Sequence, residues 1–480
     1  MSAEPILACK AANHPSSLIT LLLGAAGAGV VALGTAAPWT LGLLGAGLVF
    51  ALSFKENEAV LLALTFLMPL DFTLAGDAPV RDIAVAIRLL AFIGYFLGRV
   101  SRGQFNINSL WRPAVSKAAC IFLACLVVSM LFGTPGETHT EIRGIYFIGS
   151  YIAFYLVMSD WLRKPERRRR IVRVLFCSTL FVSLFGLVQR LAGNYTPVWH
   201  FLYGGQEAAL NGAEELGRIP SFLGHPGHLA VYLDLILPFA IACYVLSNER
   251  RWKRLSALTA ILGIVALALS QSRGGLLGFV AITVYAILHF GKTRWRKALL
   301  ILAFSGMAAG AYVLLRQWNP LHFSEYSSDN AVLGRLYLWS TAWDFFLSSP
   351  LHGVGIGTLA VLFEPYLPNI PSIDPRIQLE AHNIYFELLA EAGILGFLSF
   401  FGVVIAAYRE AQRQLRSLDW FQHAFAFGVA AGIIGALVGG FFDHSLLWAP
   451  QVGFLLWLGI GGVVASAYNT CLPRETERVN

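Results

Sequence analysis

RWKRLSALTAILGIVALALSQSRGGLLGFVAITVYAILHFGKTRWRK, residues 251–297, holds the pattern from which the rest of the chain can be read. Two apolar runs, 255–270 and 275–290, are joined by the short turn Gln271–Gly274 and flanked by the basic clusters ERRWKR (249–254) and KTRWRK (292–297). A helix crossing a bilayer takes about 20 residues. It is favoured there because it satisfies every backbone polar group internally. Basic loops stay on the cytoplasmic side. Both clusters therefore belong inside, the two runs go out and back, and the turn carrying Arg273 faces outward.

The same reading extends along the 480 residues, of which 56% are hydrophobic and 13% charged. A soluble domain carries about 25% charge, so a soluble enzyme, a disordered regulator and a secreted disulfide scaffold are all excluded. Fourteen apolar segments are predicted as spans: 17–33, 38–53, 57–76, 82–98, 114–133, 144–161, 171–192, 227–247, 255–270, 275–290, 298–315, 391–408, 423–442 and 450–468. The expectation is an all-α polytopic integral membrane protein with 12–14 transmembrane helices. RKPERRRR (163–170) and REAQRQLR (409–416) join the cytoplasmic clusters and place both termini in the cytoplasm. The chain divides into N-terminal helices (1–192), an outer loop (193–226), central helices (227–315), a large outer loop (316–390) and C-terminal helices with a tail (391–480). The large loop is expected to form a helical subdomain, helical near 333–347, then a Gly-rich turn HGVGIG (352–357), then a Pro-rich stretch (364–375). Its many aromatic residues argue against disorder, and most are assigned to the loop's own core.

The net charge is 35 − 28 = +7. It reflects cytoplasmic loops rather than nucleic-acid binding. Cys9, Cys120, Cys125, Cys177, Cys243 and Cys471 fall in apolar runs or near the termini, with no CxxC pair, so neither disulfides nor structural zinc is expected.

Few basic residues face outward. Arg190 ends the seventh span beside Gln189, Arg218 lies in GRIPSFLGHPGH, Arg273 follows Ser272 in SQSRGG, and Arg335 lies in GRLYLW. Any of these can snorkel or balance an acid. Arg273 is the most specific, because Gly274 and Gly275 permit close backbone approach in a turn at the membrane surface. A guanidinium there suits the phosphate of a lipid. AHNIYFELLAEAGILGF (381–397) follows the large loop and opens a span. His382 lies at its start, with Asn383, Glu387 and Glu391 at four-residue spacing and Gly393 and Gly396 on a small-residue face suited to close packing. Acids at such a position are costly unless solvated or paired. His225 and His228 have HxxH spacing but no third ligand nearby in sequence, so no metal is expected. His352 is read as part of the Gly-rich turn and His444 as part of a short outer hairpin. No nucleotide-binding or nucleophile-elbow motif occurs in a fitting context.

These residues carry a resemblance. His382, Asn383, Gly393 and Gly396 match the His-Asn…Gly…Gly motif of the O-antigen ligase and polymerase superfamily, most closely the ligases. Ser272–Gly275 match its SRGG turn. Gly334, Arg335, Trp339, Ala342, Phe346, Pro350, Gly353, Gly355, Gly357 and Thr358 resemble its outer-loop helix and the turn after it. The similarity covers about residues 180–410, and the N-terminal third shares only hydropathy. The resemblance implies a membrane glycosyltransferase of GT-C-like, all-helical fold, in the bacterial inner membrane with a periplasmic site. The donor would be an O-antigen glycan on undecaprenyl pyrophosphate and the acceptor a sugar hydroxyl of lipid A–core, with membrane lipids as further partners and no cofactor, metal or nucleic acid. On that reading His382 is the catalytic base, and Arg273, Arg335, Arg190 and Arg218 hold the pyrophosphate. Asn383, Glu387, Gln189 and Ser272 support them. An O-antigen polymerase or a protein O-oligosaccharyltransferase would use the same donor. A transporter or flippase is the alternative of another class, with Arg88 and Asp234 as its mid-span ionisable residues.

Overall fold

The computed structural model describes residues 38–55, 58–70, 78–104, 111, 113–191, 218–290, 328–369 and 380–471. The described residues form α-helices with short 3-10 turns and no strand. In chain order these are α1 Pro38–Phe54, α2 Glu58–Leu67, α3 Ala78–Ser101, α4 Ala114–Phe132, α5 Thr138–Trp161, α6 Pro165–Leu191, α7 Pro226–Leu246, α8 Arg250–Ser270, α9 Arg273–Phe290, α10 Ser328–Ser348, α11 Leu359–Leu362, α12 Ile384–Gln414, α13 Trp420–Gly439, α14 Ser445–Trp448 and α15 Pro450–Cys471. Nine of the described helices are long and apolar enough to span a membrane: α4 to α9, α12, α13 and α15. The chain is an all-α polytopic membrane protein. The predicted segments 17–33 and 298–315 lie outside the described residues, as does 71–76 of the third segment, and each of the other twelve overlaps a described helix.

Among the described residues, those within 1–65 and 86–105 form one compact unit and those within 66–85 and 106–480 a second. In the first, Arg102 donates to the Phe54 carbonyl at 2.9 Å. The second holds all nine long apolar helices.

Burial separates the centre of the second unit from its rim. The apolar windows of α7 and α15 are 83% and 89% buried, those of α4 and α8 only 33%. The rim exposes large apolar side chains such as Ile121, Leu131, Ile261 and Leu288. In water such a surface would be a liability, whereas against lipid it is the normal solvent-facing side. α7 packs against α8, α9, α13 and α15, while α12 packs against α4, α10 and α13.

Close packing uses small residues. Gly274 and Gly278 of α9 face Gly435 and Gly439 of α13, so that a Cβ on Gly278 would lie 2.6 Å from the Gly435 carbonyl and one on Gly274 3.0 Å from that of Gly439. This is a pair of facing small-xxx-small stripes. A Cβ on Gly275 would lie 2.3 Å from that of Ala230 on α7. The glycines expected to let a ligand approach the SRGG turn thus serve helix packing, and the left-handed turn falls to Gln271, φ 51°. Asp234 of α7 reaches the same seam, wholly buried, with neither carboxyl oxygen hydrogen-bonded.

α12 is broken at Gly393, whose backbone is φ 62°, ψ −168°. The break admits the Gly-rich turn: Val354 and Gly355 donate to the carbonyls of Ala390 and Glu391, and Ile394 donates to that of Pro350 at 2.9 Å. A Cβ on Gly393 would lie 2.4 Å from the Leu351 carbonyl. The expectation of a helix-packing face at Gly393 is therefore replaced by a backbone requirement, since only glycine takes this conformation without strain. The large loop is helical where predicted. α10 buries Leu338 and Ala342 with Leu359, Phe363, Ala381 and Ala390, and Tyr337, Phe345 and Phe386 pack against them.

Candidate functional site

The site lies where the α8–α9 turn, the start of α7, the start of α12, α10 and the α13–α14 connection meet. Its backbone is unusual. The non-glycine residues with positive φ among the described residues are Ser221 (53°), Gln271 (51°) and His382 (48°), and all three are at this end. Strained backbone persists only where surrounding bonds over-determine it, and it clusters at functional positions.

His382 is held from both sides. The Ala381 N–H donates to Glu387 Oε2 at 3.0 Å, and the Ala381 carbonyl accepts from Trp339 Nε1 at 2.9 Å. Asn383 is the N-cap of α12, its Oδ1 accepting from the Tyr385 and Phe386 N–H groups at 2.9 and 3.3 Å. Asn383 Nδ2 donates to the Phe441 carbonyl at 3.1 Å, and the Ile384 N–H donates to that of Gly440 at 2.9 Å. Asn383 thus fixes where His382 sits. Glu387 and Glu391, which looked costly at a membrane entrance, are buried acceptors for backbone N–H groups, those of Ala381 and, at 3.2 Å, Leu359.

Around His382 stands a cluster assembled from distant segments. His225 and His382 have ring centroids 6.5 Å apart, His382 and His444 5.1 Å, His228 and His444 6.3 Å, and His225 and His228 5.1 Å. Glu380 pairs with His444 Nε2. Asp443 is buried, and its Oδ1 accepts from the Ser445 N–H at 2.6 Å.

Electrostatics divides these groups. Burial draws His382 down to about 4, and His444 and Arg335 add to that effect. Burial opposes charge on His444 too, but Glu380 overcomes it and holds the ring up at about 10. Glu380 shows the reverse: burial raises it, and His444 carries it down to about 2. At neutral pH the site therefore holds a neutral His382 beside a Glu380–His444 ion pair.

The arginines form the second half. Burial lowers Arg218 to about 10, with Arg335 and Arg273 adding to the shift. Burial also lowers Arg335, against the attraction of Asp443 and with the repulsion of Arg273. Three guanidinium groups close enough to oppose one another are stabilised by an anion between them. Arg218 is fixed by Nε donating to the Ser270 carbonyl at 3.2 Å. Arg273 is exposed on the first turn of α9, where helix N–H groups also favour an anion.

Other predicted residues have supporting places. Ser272 caps α9, its Oγ accepting from the Gly275 N–H at 3.3 Å. Gln189 is buried, and its Oε1 accepts from the strained Ser221 N–H at 3.0 Å. Arg190 is exposed on the last turn of α6.

The missing third metal ligand is present in space. His225, His228 and Asp443 form one group of ligand atoms within 4.8 Å of one another, and Glu380, His382 and His444 form another. Some of these atoms already have protein partners. His225 Nδ1 accepts from the Gly227 N–H at 3.1 Å, and His444 Nε2 is directed at Glu380. Sequence reading missed Asp443, His444 and Glu380 as members of this site. The available signal was Asp443-His444, a charged pair in a short connection between two apolar runs.

The chain is 28% identical over 395 residues to the exopolysaccharide production protein ExoQ of Rhizobium meliloti (strain 1021), covering 78% of this chain and 82% of the relative. It is 22% identical over 401 residues to the teichuronic acid biosynthesis protein TuaE of Bacillus subtilis (strain 168), covering 77% and 78%. Residues 258–401 match the family described as O-antigen ligase. That stretch carries Arg273, Arg335 and His382.

Proposed function

We propose that this protein transfers a glycan from a polyprenyl pyrophosphate, undecaprenyl pyrophosphate in bacteria, to a sugar hydroxyl at the non-cytoplasmic face of the inner membrane. The observation that carries this reading is the meeting of Arg218, Arg273 and Arg335 with a neutral His382 at one end of the helix bundle. The arginines bind the pyrophosphate and stabilise its charge as it leaves. His382 takes the acceptor hydroxyl proton as the hydroxyl oxygen attacks the anomeric carbon. The new C–O bond forms as the bond to pyrophosphate breaks, and the electron pair departs with the pyrophosphate. A single displacement of this kind inverts the anomeric centre. No step calls on a metal ion.

The family match favours ligation, with lipid A–core as acceptor. The relatives' names, exopolysaccharide production and teichuronic acid biosynthesis, favour a second reading in which the acceptor is another lipid-linked glycan and the polymer grows. Purified protein in nanodiscs, given an undecaprenyl-pyrophosphoryl oligosaccharide with and without lipid A–core, separates the two. Capped lipid A–core supports ligation, and lengthened lipid-linked glycan supports polymerisation. Absence of both products with a range of glycan donors removes the proposal.

A further inference from the structure

Glu380 and His444 have no part in the transfer just described, yet they lie against its base. Glu380 ends the large loop and His444 lies between α13 and α14, so the fold brings them together from separate segments. Their ligand-capable atoms and that of His382 all lie within 4.8 Å of one another. The His444 side chain is 4% exposed, and its Nδ1 is buried without a hydrogen bond. A buried ion pair contributes little net stability, because the cost of desolvation consumes the Coulombic gain. Its presence beside His382 points to a role other than holding the fold. The backbone on either side of His382 is already fixed by Trp339, Glu387, Asn383 and Gly440.

We propose that Glu380 and His444 are positioning residues for His382, with Glu380 orienting the imidazole and stabilising the imidazolium formed during transfer, and His444 holding Glu380 in place. This rests on the reading of His382 as the base. When the acceptor proton moves to His382, a positive charge appears in a site already crowded by Arg335 and Arg218. The Glu380 carboxylate is the anion placed to receive it, as an acid orients a histidine base in hydrolytic triads. His444 keeps Glu380 ionised and prevents it from swinging to the arginines. The charged and titratable groups facing His382 are Glu380 on its own segment, Asp443 and His444 from the α13–α14 connection, Arg335 from α10 and His225 from the start of α7.

The test uses full-length protein in nanodiscs with a polyprenyl-pyrophosphoryl oligosaccharide donor and its acceptor. Glu380→Gln, His444→Gln and His382→Ala are measured for kcat, donor KM, pH profile and bound metal. The expected result is a kcat about 10²-fold lower in Glu380→Gln and His444→Gln, with donor KM within about threefold. Removing the His444 charge relieves His382, so the acid limb of kcat moves to higher pH in His444→Gln. Retention of kcat within about threefold in both variants overturns the inference. So does a fall in activity that only follows the loss of folded protein, with an unmoved pH profile. A stoichiometric metal ion lost on Glu380→Gln overturns it as well, since the pair would then be ligands. If His382→Ala stays active, the reading of the base fails by itself. If His382→Ala is inactive while both glutamine variants work normally, only the present inference fails.

Discussion

The two ends of the helix bundle use arginine in opposite ways. At the end carrying the basic clusters, Arg169 faces Glu249 at 3.7 Å and Asp419 at 3.6 Å and lies over the rings of Trp420 and Phe421. Those partners are exposed or partly exposed, so the contacts are individually weak. As a cluster they are the positive charge on which the expected orientation rests. At the other end Arg218 and Arg335 are drawn down by burial and repel Arg273 and each other. Such an arrangement is unfavourable in the resting protein and becomes favourable with an anion between the groups. The same residue type is screened by water and acids at one end and is partly withdrawn from water, beside other arginines, at the other.

The comparison can be broken from the site end first. His382→Ala is expected to lower kcat by about 10²–10⁴-fold with donor binding retained, measured by transfer assay and by binding of the lipid donor. Undiminished transfer would remove His382 as base. Arg335→Ala is next, with kcat/KM lowered by about 10²–10³-fold. Arg169→Ala at the opposite end is expected to change kcat/KM by less than about threefold. Equal losses in these two variants, with equal protein accumulation, would erase the distinction between the ends.

Gly393→Ala sharpens the structural side. It forces a positive φ on a side chain and a contact with the Leu351 carbonyl, so destabilisation of about 1–3 kcal/mol or more is expected, read as a lower Tm. The pH profile is a smaller effect. On the proposed mechanism His382 must be neutral to act, and burial holds it down at about 4. Activity that needs the neutral ring is present above that pKa and lost as pH falls through it. Transfer should therefore stay nearly flat from pH 7 to about pH 5.5 and fall only at lower pH, rather than through the usual histidine range near about 6.5. Smallest is Ser272→Ala, the loss of a helix cap, at about 1 kcal/mol, with donor KM raised only as far as Arg273 shifts.

Much of the fold was legible from hydropathy. Twelve of the predicted segments overlap described helices because an apolar run in a bilayer has few alternatives to helix. The order of the loop α10, Gly-rich turn, α12 was also readable from its spacing. What resisted reading was the purpose of particular small and polar residues. Gly274, Gly275 and Gly393 carried a recognisable pattern, but the pattern does not say whether a ligand, a neighbouring helix or an inserted turn comes close. Asn383 and Ser272 read from sequence as supporting residues, and the fold shows that both are helix caps. Periodicity along one chain says nothing about which carbonyl from another segment lies opposite.

The sequence by itself determined that the chain spans a membrane many times, which loops are basic, and that His382, Arg218, Arg273 and Arg335 are polar exceptions in an apolar chain. Those are properties of composition and local pattern, and they need no neighbour. Only the tertiary structure decided that Glu380 meets His444, that Asp443 completes a group with His225 and His228, and that the arginines oppose one another. Each of these depends on groups far apart in sequence sharing a desolvated space. Burial and proximity, which set their protonation and their chemistry, exist only once the helices are packed.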